Sequence, residues 1–307
     1  MRIGSIFCGA GGLDLGLKQA GLDIIWAFDN DNDCVSTYRK NIDGNAEQAD
    51  VKNIIFNDLP DVDVIVGGFP CQGFSVANKH RAGNDERNLL YYEFVRSVTE
   101  KQPKFFLAEN VRGILSLEKG EAIKKIVKDF SNAGYFVEYK LCNASDYSVP
   151  QNRYRVFIWG IRKDLGSNII RYWPEPITAE KKEKISVGVA LKGIPEPDEN
   201  HKLMNHIGSK YKVTNRNFTG CRTTDPKKPC PTIIARGNGK GGVNAIQHPN
   251  NHRRMTVREQ AIIQTFPLDF EFIGSMSSCY RQIGNAVPVK LAKLFGESLL
   301  KTWSKIS

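Results

Sequence analysis

No two of the seven cysteines, at 8, 34, 71, 142, 221, 230 and 279, stand in a Cys-x-x-Cys spacing. The odd count and the scatter argue against a disulfide framework and against a zinc ribbon. They make a reducing cytoplasm the default expectation. Nor does any apolar run approach the roughly 20 residues needed to cross a bilayer. Met1-Arg2 leads into Ile3-Gly4-Ser5-Ile6-Phe7-Cys8 and then into glycines, with no small-residue cleavage site, so a secretory signal is not expected. His and Cys nowhere take up metal-ligand spacing, so no metal is expected either.

Acidic residues are scarce in one stretch. Between 201 and 260 twelve lysines and arginines face only Asp225 and Glu259, which accounts for the whole net charge of +10. A polyanion such as nucleic acid would be drawn there, although a basic solvated surface has the same composition. In other respects the 307 residues are an ordinary globular mix, 41% hydrophobic and 25% charged. That length allows one large domain or two modest ones.

The first 165 residues alternate β-rich runs with helical patterns. Strands are predicted at 3–7, 24–28, 62–66, 104–108, 135–141 and 153–161, and helices at 89–101 and 121–133. This alternation predicts an α/β fold, a mixed but mostly parallel sheet with helices on both faces. Beyond about 170 the pattern fails. Trp173-Pro174-Glu175-Pro176 and Ile194-Pro195-Glu196-Pro197 read as loop, and 200–250 is rich in Gly, Asn and Pro. Helical pattern returns at 256–264 and 289–303. The expected organisation is a catalytic domain over 1–175, completed by a C-terminal helix within 284–307, and a smaller irregular domain over 176–283.

Ligands of open α/β sheets sit at the carboxyl ends of the strands. The first such loop, Phe7-Cys8-Gly9-Ala10-Gly11-Gly12, can cradle a ligand at a helix N-terminus. Asp29 follows Gly9 by 20 residues, where a carboxylate would hold ribose hydroxyls. Nicotinamide dinucleotides and S-adenosylmethionine (AdoMet) both use this layout. Asp14 stands where the dinucleotide fingerprint wants a third glycine. A tight strand–helix turn without a ligand has the same residues.

Cys71 follows Gly67-Gly68-Phe69-Pro70 at the predicted mouth of the sheet. It is a nucleophile if activated and exposed, and packing if not. Glu109 ends the neighbouring strand pattern. It could act beside Cys71 as an acid or stand as a helix N-cap neighbour. Arg153 and Arg155 are two apart on a predicted strand, so they share a face, either toward solvent or as two donors aimed into the cleft.

Taken together, these motifs resemble the DNA (cytosine-5)-methyltransferases of bacterial restriction–modification type. Six segments carry the resemblance in the family's order. They are Phe7-Cys8-Gly9-Ala10-Gly11, Gly68-Phe69-Pro70-Cys71-Gln72, Glu109-Asn110-Val111, Gln151-Asn152-Arg153-Tyr154-Arg155, Arg254-Met255-Thr256-Val257-Arg258-Glu259 and Gly284-Asn285-Ala286-Val287-Pro288. The basic stretch falls where the family places target recognition.

The resemblance implies an AdoMet-dependent methylase acting on double-stranded DNA as a monomer in the bacterial cytoplasm, associated with the nucleoid, with no membrane or metal partner. It implies Cys71 as nucleophile and Glu109 as acid, Arg155 at the cytosine carbonyl, and Gln151 and Arg153 ordering the cysteine loop. Cofactor contacts are implied at Phe7, Gly9, Ala10, Gly11 and Gly12, then at Asp29, Asn30, Asp50 and Val51, and at Pro70, Leu90, Asn285 and Ala286. DNA contacts are implied at Gln72, Ser75, Lys79 and Arg81, within a closing loop at 72–88, and at Arg216, Arg222, Arg236 and Lys240. The residue after the ribose acid is often aromatic in this family, whereas here it is Asn30, and Phe28 or Ile54 would have to take the adenine. A short recognition region implies a short target site. A tRNA cytosine methylase and a silent DNA-binding scaffold are the alternative readings.

Overall fold

The computed structural model describes residues 1–42, 45–70, 86–208, 224–235, 246–250 and 253–306. The chain opens with β1 (Arg2–Ile6), an apolar run that the Gly-rich loop ends, and α1 (Gly12–Gln19) starts directly behind it. Next come β2 (Asp23–Asp29) and α2 (Asn32–Asn41). α2 is a polar segment with no strong apolar period. It is started by Asp31, whose side chain accepts hydrogen bonds from the Asp33 and Cys34 amides. The short β3 (Ala46–Gln48) follows, then β4 (Val64–Gly67), α3 (Glu86–Lys101) and β5 (Phe105–Val111).

In α4 (Glu121–Asn132), Ala122, Ile123, Ile126 and Phe130 form one buried stripe at helical spacing. The strands β6 (Tyr135–Asn143) and β7 (Tyr154–Arg162) complete a seven-stranded sheet in the order β3-β2-β1-β4-β5-β7-β6. β7 runs antiparallel to both of its neighbours, β5 and β6. The other pairings are parallel. The expected mixed, mostly parallel sheet is what forms. α2, β3 and the helix over 276–285 were not legible in the sequence, being short or polar.

The remaining helices are the short α5 (Val187–Ala190), α6 (Val257–Ile263), α7 (Met276–Asn285) and α8 (Val289–Trp303). Thr256 and Glu259 make a reciprocal capping box at the start of α6, and Ser275 caps α7. Among the described residues no helix is long and apolar enough to cross a membrane.

Side chains alternate across the sheet and build two cores. On one face Ile3, Leu107, Phe157 and Trp159 meet α1 and α8, and Phe157 stacks on Phe295 at 3.9 Å between centroids. On the other face Ile6, Ile65, Phe106 and Ile158 meet α3 and α4, with Phe106 against Phe130 at 4.2 Å. Each aromatic so buried contributes on the order of 2 kcal/mol.

Phe266, Phe270 and Phe272 join the first core. α7 is tied to α2, because the Thr37 hydroxyl donates to Oε1 of Gln282 at 2.7 Å and accepts from the Ile273 amide at 2.8 Å. The C-terminal ends of β1, β2, β4 and β5 thereby face the junction of α7 and α8.

Candidate active site and cofactor cavity

A cavity of about 500 Å³ opens at those strand ends. It is lined by Phe7, Gly9, Ala10 and Gly12 from the first loop, by Asp29, Asn30, Asp50 and Val51 beyond β2 and β3, and by Pro70 after β4. Leu90 of α3, and Asn285 and Ala286 at the end of α7, close the far wall. Twelve expected cofactor positions therefore surround one space.

Gly9 sits at φ 55°, a left-handed conformation that glycine adopts without cost, and its amide donates to Oδ2 of Asp29 at 2.8 Å. The other Asp29 oxygen accepts from the Asp31 amide at 2.9 Å. Burial raises the Asp29 carboxyl above its ordinary range, against the pull of these amides. Asp29 is thus fixed at the end of β2, with remaining lone pairs for a ligand hydroxyl.

The turn that carries Asp50 and Val51 is pinned from α3. Arg96 donates to the Val51 and Ile54 carbonyls, each at 2.9 Å. The set consists of two fixed carboxylates, a glycine-bearing loop at a helix start and an apolar wall. It fits a nucleoside joined to a charged amino-acid end.

One cofactor expectation fails. Gly11 does not line the cavity. A Cβ there would stand 2.1 Å from Cδ1 of Ile42 and 2.8 Å from Tyr38, so its missing side chain makes room for α2 rather than for a ligand. Of the two substitutes for an aromatic at Asn30, Phe28 lines the cavity while packing against Trp26 at 5.8 Å. Ile54 belongs to the second core instead.

Glu109 is not a helix N-cap neighbour. β5 runs on through it to Val111, pairing Glu109 with Phe157 and Val111 with Arg155 of β7. That register puts Glu109 and Arg155 diagonally on one face of the sheet. Arg155 Nε lies 2.6 Å from Oε1 of Glu109, and both side chains reach the cavity. Among the described residues nothing donates a hydrogen bond to that Oε1, because the Arg155 N–H is not aimed at it. Asn110 points to the opposite face, where Nδ2 donates to the Phe69 carbonyl at 3.1 Å and holds the segment that ends in Pro70.

Arg153, just ahead of β7, does not share the destination of Arg155. It is fully buried, donating to the carbonyls of Ile233 at 2.8 Å and of Gly284 and Ala286 at 2.9 Å each. Gln151 is buried beside it. Its Nε2 donates to Gln264 and its Oε1 accepts from the Ile233 amide. The reading of two arginines aimed into the cleft is therefore corrected to one. Arg153 and Gln151 fasten the turn at 284–286 and the segment around Ile233.

Three of the basic residues between 201 and 260 are likewise structural. Arg258, fully buried, donates to the Met204, Pro267 and Phe270 carbonyls. Arg253 bridges Glu196 and Glu259. Arg254 stacks 3.6 Å over the Tyr280 ring. None of the three is free to meet a polyanion.

Cys71, Gln72, Ser75, Lys79, Arg81, Arg216, Arg222, Arg236 and Lys240 lie outside the described residues. The cavity also has walls that the sequence reading did not assign. Arg281 of α7 pairs with Asp31 at 2.8 Å, and Ser5 and Asp14 lie beneath the first loop. The only sequence signal for Asp14 was a carboxylate between Leu13 and Leu17 on the apolar face of α1.

The sequence pattern of the C-5 cytosine-specific DNA methylase family matches residues 1–301. The chain is 38% identical to the Type II methyltransferase M.NgoFVII of Neisseria gonorrhoeae, over 99% of this chain and 87% of that protein. It is 37% identical to the Type II methyltransferase M.FnuDI of Fusobacterium nucleatum, over 98% of this chain and 95% of the relative. Its fold is similar to the crystal structure of a DNA modification methyltransferase encoded within an E. coli prophage. That likeness has TM-score 0.77 and 26% identity, and covers 99% of each chain. Sequence pattern, relatives and fold agree: the chain belongs to the C-5 cytosine-specific DNA methylase family and is a DNA (cytosine-5)-methyltransferase.

Proposed function

We propose that this enzyme methylates C5 of one cytosine within a short, specific duplex sequence, using AdoMet, and so protects DNA in a restriction–modification system. The observation that carries the reading is the Glu109–Arg155 pair, largely shielded from solvent, in the wall of the nucleoside-sized cavity. A base stacked in a duplex cannot reach such a depth, so the target must be flipped out.

The cofactor, when bound, supplies a methyl group on a sulfonium. Asp29 would hold its ribose, Asp50 and Val51 its base, and the loop from Phe7 to Gly12 with Asn285 its amino-acid end. The rest falls to the chain's own residues. Cytosine C5 is a poor nucleophile until a thiolate adds to C6. In this reading Cys71 makes that bond. Glu109 hydrogen-bonds N3 and shares its proton, so the ring accepts the electron pair. Arg155 stabilises charge growing on O2. C5 takes the methyl, then loses its proton as the Cys71–C6 bond breaks, and the thiolate is restored.

Target recognition is assigned to residues 176–283, with Arg216, Arg222, Arg236 and Lys240 as its basic contacts and Gln72, Ser75, Lys79 and Arg81 on the closing loop. A monomer suffices for this chemistry.

The test is bisulfite sequencing of plasmid from a methylation-free host expressing the chain, beside a Cys71→Ala control. Protected cytosines at one recurring short sequence, absent from the control, are expected. Protection that survives in the control would overturn the nucleophile assignment. No protection from folded enzyme would overturn the DNA substrate, and tRNA would be tested next.

A further inference from the structure

Asp14 has no part in the chemistry above. Its carboxylate is nevertheless fully buried in the first turn of α1, directly beneath the loop that opens the cavity. Ser5 Oγ of β1 donates to Oδ1 at 3.0 Å, and Tyr38 Oη of α2 donates to Oδ2 at 2.9 Å. Both donors are neutral. The Cys8 thiol stands nearby, itself held protonated by burial. Against the same stretch of α1, the residues after α7 bring Ala286 and the Val287 carbonyl up to Gly12, and the segment after α6 brings Phe266, none of them charged. α8 meets Gly16 through Ala292 and the Val289 carbonyl. Among the described residues the side chains bonded to the Asp14 carboxylate are these two hydroxyls, and none is a lysine, arginine or histidine.

A buried carboxylate with two hydroxyl partners and no cation is expensive to keep. The start of α1 offsets part of that cost, since anions are favoured there. The missing countercharge has an obvious source. Asp29 fixes the ribose end of the cavity and Asp50 the base end, so the loop and α1 are left for the amino-acid end of the cofactor. That end carries an ammonium group.

We propose that Asp14 is the electrostatic counterpart of the cofactor's positively charged amino-acid end, so that cofactor affinity depends on Asp14 being ionised. The inference rests on the reading of this cavity as the AdoMet site. Burial lifts the Asp14 carboxyl to about 6, against the lowering effect of the Ser5 and Tyr38 hydrogen bonds. A ligand that requires the ionised form should therefore bind about tenfold more tightly at pH 7 than at pH 5. The ligand's own α-amino and α-carboxyl groups do not titrate in that window.

The experiment is calorimetric titration of the full chain with two probes across that range. S-adenosylhomocysteine keeps the ammonium. 5′-Methylthioadenosine has the same nucleoside and no amino-acid end. The expected result is a tenfold pH response for the first and none for the second. In Asp14→Asn the response to S-adenosylhomocysteine should vanish while 5′-methylthioadenosine still binds. Equal pH responses for both probes, or a response that persists in Asp14→Asn, would overturn the proposal. Failure of the wild-type chain to bind either probe would instead overturn the cofactor reading beneath it. Should Asp14→Asn fail to fold, Tyr38→Phe decides. Loss of one donor to the carboxylate must move the midpoint of the S-adenosylhomocysteine response to higher pH, and an unmoved midpoint counts against the proposal.

Discussion

Arg155 Nε stands 2.6 Å from Oε1 of Glu109, but the contact is an ion pair without an aligned hydrogen bond. Diagonal pairing across β5 and β7 brings the two together and leaves one buried oxygen of Glu109 unbonded among the described residues. Glu109→Gln keeps the shape of this side chain and removes its acid. Single-turnover methyl transfer should fall by about 10²–10⁴, the usual contribution of a general acid, with little change in melting temperature. A variant within tenfold of wild type would remove Glu109 from the chemistry.

Arg153 and Arg155 should separate cleanly under substitution. Arg153→Ala withdraws the donor from the Ile233, Gly284 and Ala286 carbonyls. Buried acceptors left bare cost about 1–3 kcal/mol each, so urea unfolding should register a loss of at least about 3 kcal/mol. Arg155→Ala should cost activity more than stability. An Arg153→Ala protein that is inactive yet as stable as wild type would mean that its guanidinium acts on the substrate after all.

Salt dependence will sort the basic segment. Duplex binding should weaken steeply with salt, each phosphate contact adding about 0.9 to the log–log slope. Arg216→Ala, Arg222→Ala and Lys240→Ala should lower that slope. Arg258→Gln should leave it unchanged and lower the melting temperature, because Arg258 is occupied by three backbone carbonyls. A reduced slope in folded Arg258→Gln would place that residue at the DNA.

The unliganded enzyme should show Asp14 in its pH stability. The folded carboxyl titrates at about 6 rather than 3.8, so the folded chain holds this proton to higher pH than the unfolded chain does. The stability it contributes is full below the unfolded value and is lost as pH rises through 6. At neutral pH the ionised group costs about 3 kcal/mol, so Asp14→Asn should unfold later than wild type at pH 7.5 and no later at pH 4. Parallel stability curves for the two proteins would show that Asp14 is not buried as an anion. A stabilising substitution that weakens cofactor binding is the pattern expected of a functional site.

Much of the site was legible because its signals are local. Gly9 lies on a left-handed turn, Asp29 ends a strand and Glu109 lies two residues before the carboxyl end of another, and each is specified by a few neighbouring residues. α8 formed over the full span predicted from its apolar period. α2 and α7 were not foreseen. Their apolar faces are thin, and long-range bonds tie them together, among them one from Thr37 to Gln282, 245 residues away.

The sequence by itself determined the alternation of strands and helices, the order of the motifs and the turns that carry them. Backbone preference and side-chain period act over only a few residues. Tertiary structure decided what those residues face. Two arginines stand two positions apart, yet Arg155 on β7 meets Glu109, and Arg153 just ahead of β7 meets carbonyls as many as 133 residues along the chain. The pairing of β7 with β5 sets Arg155 beside Glu109. Gly11 was given to the ligand by its motif and to Ile42 by packing. Arg253, Arg254 and Arg258 count toward a basic stretch in sequence and are withdrawn from it in space, where two carboxylates, an aromatic ring and backbone carbonyls that only the assembled fold supplies engage them.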